Sequence, residues 1–234
     1  MSDAVLIHGC HLGTNGWDQV AFGDSETFAL GRINRGIQYA WENQAELVYF
    51  GTGASEKDGV KESRYTYNLA IKNWRELARL CNADDAGGDQ YESLFLRWMQ
   101  QVSYIDEETQ NTDQEFKKFL DMCDERNISD VAIVSSPFHI PRCLQTALKV
   151  IERSNDPRYE FYQQRLRAIP SDTNPTGIKT ADVVVFEPPH RGDNASVNFG
   201  DQARRLFQFL SDPDKAAEVY DDLKALIDRH EASL

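Results

Sequence analysis

Ser135, Ser136, His139 and Arg142 bring more reactive side chains together than any other stretch of this sequence. They follow the aliphatic run Val131-Ala132-Ile133-Val134 and lead into a helical pattern. Pro141 suits the first turn of that helix, where its missing N–H would be unpaired in any case. A fork-shaped cation, two hydroxyls and the free amides of a helix start are the groups that grip a small anion. Arg142 falls in a positively polarised first turn, which disfavours a cation by about 0.3–1 kcal/mol. The plainer alternative is an Arg142 salt-bridged to a nearby loop carboxylate; the grouping favours the anion. His139 is the candidate for acid–base work, because an imidazole titrates near neutrality.

Other polar loops follow other apolar runs. His8-Gly9-Cys10-His11-Leu12-Gly13 has glycines that let backbone approach a ligand, but neither a Gly-Lys-Ser/Thr ending nor Gly-x-Gly-x-x-Gly spacing. His8, Cys10 and His11 lie close in sequence, yet no matching carboxylate or histidine pair stands elsewhere, so no metal is expected. Gly51-Thr52-Gly53-Ala54-Ser55 reads as a tight turn, with Thr52 and Gly53 available to a ligand. Glu62, soon after, reads either as a helix N-terminal acid or as a site carboxylate. The acids Asp106, Glu107 and Glu108 precede Asn111 and Thr112, and Thr112 and Glu115 have the spacing of a capping box, a structural role. His190 and Arg191 read as a surface turn. No Gly-x-Ser-x-Gly elbow accompanies the serines, so a hydrolase triad of that type is absent.

These loops need a scaffold that brings them to one place. Strands are expected at Ala4–Ile7, Glu46–Phe50, Val102–Ile105, Val131–Val134, Arg165–Ile169 and Asp182–Phe186. Apolar residues at helical spacing alternate with them: Leu30, Ile33, Ile37 and Trp41; Ala70, Trp74, Leu77 and Cys81; Phe116, Phe119, Leu120 and Cys123; Leu144, Ala147, Leu148 and Ile151. The alternation predicts βαβ units, and strands apolar throughout predict a parallel sheet covered on both faces. The fold class is therefore a three-layer, Rossmann-like α/β sheet. Residues 1–234 form one domain, with a small helical insertion at about 82–103 and C-terminal helices at about 198–231. In such sheets ligands bind beyond the carboxyl ends of the strands, where all of these loops begin.

The net charge of −13, from 38 acidic and 25 basic side chains, repels nucleic acid and anionic lipid over most of the surface. No apolar run is long enough to span a bilayer. Met1 to Ile7 lacks a basic leader, so no signal peptide is expected. The cysteines at 10, 81, 123 and 143 have no paired spacing and read as reduced thiols of a cytoplasmic protein, Cys123 and Cys143 within the core.

Val134-Ser135-Ser136-Pro137-Phe138-His139-Ile140-Pro141-Arg142 resembles the strand and "(V)TSxxHxxRA" segment of the YdcF/SanA/ElyC-like family of bacterial proteins. That family is still largely described as a domain of unknown function. Thr109-Gln110-Asn111-Thr112 is similar to its SxNT segment and Gly51-Thr52-Gly53 to its SGG turn, while Arg32 and Glu62 fall where it carries an Arg and a Glu. The resemblance spans about Ala4 to Lys149. Gly9-Cys10-His11 departs from the family's Gly-rich first loop, and Glu115 stands where an Asn is usual. The resemblance implies a Rossmann-like fold and, for the YdcF branch, binding of S-adenosylmethionine. Many relatives carry a membrane anchor and belong to the cell envelope; no anchor is expected in this chain.

The expected function is binding of a nucleotide-type or phosphorylated small anion for group transfer or hydrolysis. Arg142 would hold the anionic group, and Gly9, Arg32, Thr52, Gly53, Asn111, Thr112, Ser135 and Ser136 would contact the ligand. His139 would act as acid or base, with Glu62 or Glu108 orienting it or binding a ribose hydroxyl. The alternative is a non-catalytic metabolite sensor linked to envelope processes.

Overall fold

The computed structural model describes residues 3–24, 26–83 and 89–174. The expected strand Asp182–Phe186, His190, Arg191 and the C-terminal helices lie outside the described residues. The elements run β1 (Asp3–Ile7), α1 (Trp17–Ala21), β2 (Gly23–Asp24), β3 (Ala29–Leu30), α2 (Arg32–Glu42), β4 (Leu47–Phe50), β5 (Glu56–Lys57), β6 (Val60–Lys61), α3 (Glu62–Lys72), α4 (Trp74–Leu80), α5 (Asp89–Val102), β7 (Ser103–Ile105), α6 (Thr112–Glu125), β8 (Asp130–Ser135), α7 (Ile140–Ser154), α8 (Pro157–Gln163) and β9 (Leu166–Pro170). Five strands form one sheet in the order β7-β4-β1-β8-β9, and every pairing is parallel.

β1, β4 and β8 are buried along their whole lengths, because helices cover both faces. Side chains alternate between the two. Val5, Ile7, Val48, Phe50, Ala132 and Val134 pack with α1 to α5, where Ile33, Ile37, Leu77, Phe95 and Met99 fill the layer. Leu6, Tyr49, Val131 and Ile133 pack with Phe116, Phe119, Cys123, Cys143, Ala147 and Ile151 from α6 and α7. The three-layer α/β sheet expected from the sequence is the observed fold, and α5 supplies the helix of the 82–103 segment. No helix among the described residues is long and apolar enough to cross a membrane.

Three local expectations change. Leu30 belongs to β3, in a hairpin with β2, rather than to the helix of Ile33 and Ile37. The helix expected over Ala70, Trp74, Leu77 and Cys81 is two helices meeting at Asn73, whose side-chain amide donates to the Leu69 carbonyl at 2.9 Å. Leu148, expected on the core face of α7, is 37% exposed.

From β1 the chain steps outward to β4 and β7, then returns to the other side of β1 for β8 and β9. The reversal falls between β1 and β8, which register Ile7 opposite Val134. A crevice opens beyond the carboxyl ends of strands at such a reversal.

Candidate functional site

His8 and Gly9 leave β1 at this crevice, and Ser135 and Ser136 end and follow β8. The His8 N–H bonds the Val134 carbonyl at 3.0 Å, extending the ladder one residue past the strand. Arg32, the first residue of α2, ties the two strand ends together. Its Nε donates to Ser136 Oγ at 2.8 Å, and its Nη1 donates to the carbonyls of His8, at 3.1 Å, and Gly9. Arg32 is only 2% exposed, and its Nη2 has no hydrogen-bond partner among the described residues.

His139 precedes α7 and is also buried. Its Nδ1 lies 2.9 Å from Ser135 Oγ, and Arg142 Nη2 bonds its Nε2. A guanidinium has only donors, so Nε2 accepts and the ring hydrogen sits on Nδ1, shared with Ser135. Arg142 meets no carboxylate among the described residues; its one side-chain bond is to this imidazole. The salt-bridged alternative for Arg142 is therefore not what the structure contains.

The amides at the head of α7 also differ from expectation. Those of His139 and Ile140 donate to the Ser136 carbonyl, and that of Phe138 to Asn174 Oδ1 at 3.2 Å. These amides are spent locally, so an anion here meets side chains first.

Beneath His139 lies a pair the sequence reading missed. His8 Nδ1 bonds Glu115 Oε2 at 2.7 Å, and both residues are 2% exposed. His8 Nε2 and Glu115 Oε1 are buried without a hydrogen-bond partner among the described residues. The capping box expected of Thr112 and Glu115 does not form. Asn111 caps α6, its Oδ1 accepting from the Gln114 N–H at 2.9 Å, and Glu115 turns inward to His8. Room for this carboxylate comes from Gly51, where a Cβ would stand 1.4 Å from Glu115 Oε1.

The imidazoles of His8 and His139 lie 6.0 Å apart, centre to centre, with opposite electrostatic settings. Burial alone would favour neutral His8, but the Cys143 sulfur and the Glu115 carboxylate outweigh it, and its pKa is pushed up to about 10. For His139, burial and the positive charges of Arg32, Arg142 and His8 all act the same way, holding its pKa well below the usual histidine value. A charged and a neutral imidazole therefore share one site, the pattern of an acid and a base set apart by their surroundings.

Glu62 opens α3 but does not touch His139. Its carboxylate accepts from Ser55 Oγ at 2.6 Å and from the Cys10 N–H, so it fixes the loop after β1. It stands with Thr52 against Gly9, where a Cβ would come within 2.9 Å of both. Thr52 Oγ1 and the Gly53 N–H both donate to the Thr109 carbonyl at 2.9 Å, joining the loops after β4 and β7. A Cβ on Gly53 would lie 2.2 Å from the Glu107 carbonyl oxygen. Glu108 pairs with Lys118 at 2.6 Å, and Lys118 also holds buried Asp106 at 3.0 Å.

Bonds and close contacts thus join Gly9, Arg32, Thr52, Glu62, Ser135, Ser136, His139 and Arg142, together with His8 and Glu115. Gly53 continues the loop after β4, Glu108 and Asn111 lie in the loop after β7 and Thr112 opens α6; no hydrogen bond links any of the four to His139. Among the described residues no group of three or more His, Cys, Asp or Glu side chains is placed to hold a metal. A cavity of about 740 Å3 opens at the opposite edge of the sheet, lined by Trp41, Glu46, Trp98 and Arg126 among others; it contains none of the residues expected in the site. No protein-family model, no curated protein and no solved structure matches this chain.

Proposed function

We propose that the β1–β8 crevice binds a nucleotide-type or phosphorylated small anion and that the chain is an enzyme of group transfer or hydrolysis, with His139 as its base. The observation that carries this reading is Arg142, a guanidinium that meets no carboxylate among the described residues and donates to a neutral imidazole. Arg32 adds a buried cation with an unused donor beside the same residues. In a chain of net charge −13, acids to neutralise them are plentiful, yet neither guanidinium bonds one among the described residues.

The order of short motifs after successive strands supports distant membership of the YdcF/SanA/ElyC-like family, and with it S-adenosylmethionine as one ligand to try. The four cysteines, free in the structure, support a cytoplasmic setting.

The test is a thermal-shift screen of phosphates, nucleotides and S-adenosyl compounds, followed by His139→Ala on the best ligand. Loss of a base lowers turnover by about 10²–10⁴-fold while affinity is largely kept. A sensor is the second reading, favoured by the same cation-lined crevice; absence of turnover with every substrate tried, or equal loss of binding and activity, would select it. A screen without a single hit would leave a scaffold with no ligand.

A further inference from the structure

The groups around His139 point to one class of anion and to a change of partner when it binds. Every described side chain that bonds this imidazole or acts on its charge is a cation, a hydroxyl or a thiol. Arg32 reaches it from α2, His8 from the end of β1, Ser135 from β8, and Arg142 and Cys143 from α7. The carboxylate in this network, that of Glu115 on α6, is bonded to His8 and, with the Cys143 sulfur, favours its charged form. Three cationic groups thus crowd one neutral ring, and a buried donor of Arg32 goes unused. Mutual repulsion of this kind is relieved by a ligand carrying two negative charges on closely spaced oxygens. A sulfonium centre would add a fourth positive charge.

Resting on the function proposed above, we infer that the ligand is a phosphate-type dianion, and that its arrival moves Arg142 from Nε2 of His139 onto the anion. In the free protein the lone pair of Nε2 is occupied by Arg142, so the base is masked. Arg142 is half-buried in the first turn of α7, with a long side chain and no second partner among the described residues to hold it back. Once the guanidinium turns to the anion, Nε2 is left with a free lone pair beside a bound dianion. With an inert ligand such as sulfate, Nε2 takes up a proton from solvent. With a reacting phosphate ester, the same nitrogen takes the proton of the attacking hydroxyl or water as its oxygen bonds to phosphorus. The P–O bond to the leaving group breaks, and that oxygen takes a proton from solvent. The arrangement confines the strong base to the loaded state.

Sulfate is the probe, because it stays a dianion through the relevant range and brings no proton of its own. His139 starts neutral and gains proton affinity when the anion binds, so sulfate binding takes up a proton. Its affinity should therefore rise as pH falls from about 8 to about 6, by up to about tenfold per pH unit. His8 stays charged across this window. Calorimetry of the full chain in two buffers of different ionisation enthalpy counts the protons, and the ring nitrogens of His139 report the same event by NMR. Arg142→Gln should weaken sulfate by about tenfold or more, the share of a charge-assisted bond. His139→Asn should retain sulfate binding and lose the proton uptake. Sulfate binding without proton uptake, or uptake that persists in His139→Asn, overturns the change of partner and leaves the anion site standing. Tighter binding of S-adenosylmethionine than of sulfate, insensitive to Arg142→Gln, overturns the dianion class. Failure of sulfate, inorganic phosphate and every nucleotide to bind removes the site itself, and the inference with it.

Discussion

Replacing Glu115 by Gln separates the charge on His8 from the packing around it. In the folded protein the Cys143 sulfur and the Glu115 carboxylate push the His8 pKa up to about 10 from an ordinary 6.5. At about 1.4 kcal/mol per unit this sets a ceiling of about 5 kcal/mol on the stability linked to the His8 proton. The pair is fully buried, and removing one partner of such a pair costs about 3–5 kcal/mol. The sign follows from the upward shift: the contribution is complete below about pH 6.5 and drains away as pH rises towards 10. Urea unfolding of wild type and Glu115→Gln from about pH 6 to about pH 10.5 tests this, because other titrating groups cancel in the difference. The variant should start about 3–5 kcal/mol less stable and fall less steeply than wild type on raising the pH, the Cys143 sulfur keeping part of the dependence, so that the two curves draw together at the alkaline end. Parallel curves would refute the charged His8–Glu115 pair. If the variant does not fold, a wild-type stability that fails to fall between about pH 7 and about pH 10 refutes it equally.

Gly51→Ala drives a methyl into Glu115 Oε1, so it should displace that carboxylate, destabilise by at least the 1–3 kcal/mol typical of overpacking, and flatten the pH profile as Glu115→Gln does. Asn111→Ala removes the cap of α6 and should cost about 1 kcal/mol in urea unfolding while leaving sulfate affinity unchanged; a drop in affinity would make Asn111 a ligand contact. Glu62→Gln weakens the bonds to Ser55 and the Cys10 amide, each worth about 1.5–3 kcal/mol for a charged acceptor, and should lower the unfolding midpoint without changing proton uptake on sulfate binding.

The sheet was legible because unbroken runs such as Val131-Ala132-Ile133-Val134 permit little besides a strand buried on both faces. Those runs located Gly9, Ser135, Ser136 and His139 at the strand ends, and with them the crevice. Short hairpins were not legible: β2 with β3 and β5 with β6 are pairs of two residues each, too short for any alternation to register. Glu115 was misread for a different reason. Thr-x-x-Glu is a sound local pattern, but Asn111 satisfies the helix end first, and the carboxylate is free to pair with a histidine 107 residues away. His8 itself drew notice only beside Cys10 and His11, as a metal ligand. The available signal was its place directly after a buried strand, where a side chain turns inward before the loop leaves. For Arg142 the residue was legible and its partner was not, since nothing in sequence separation distinguishes a carboxylate from the imidazole three residues earlier.

β1 and β8 sit in the interior of the sheet, each paired along both sides. Their amides are bonded to neighbouring strands, so deuterium replaces their hydrogens only when the whole sheet opens. The floor carrying His8 and Ser135 should therefore be, with β4, among the slowest-exchanging of the described residues. Arg142 and the Gly9 loop stand outside that floor and can move while it holds. An anion bridging the two should slow exchange across the entire sheet, and the uniform rise would measure its binding energy.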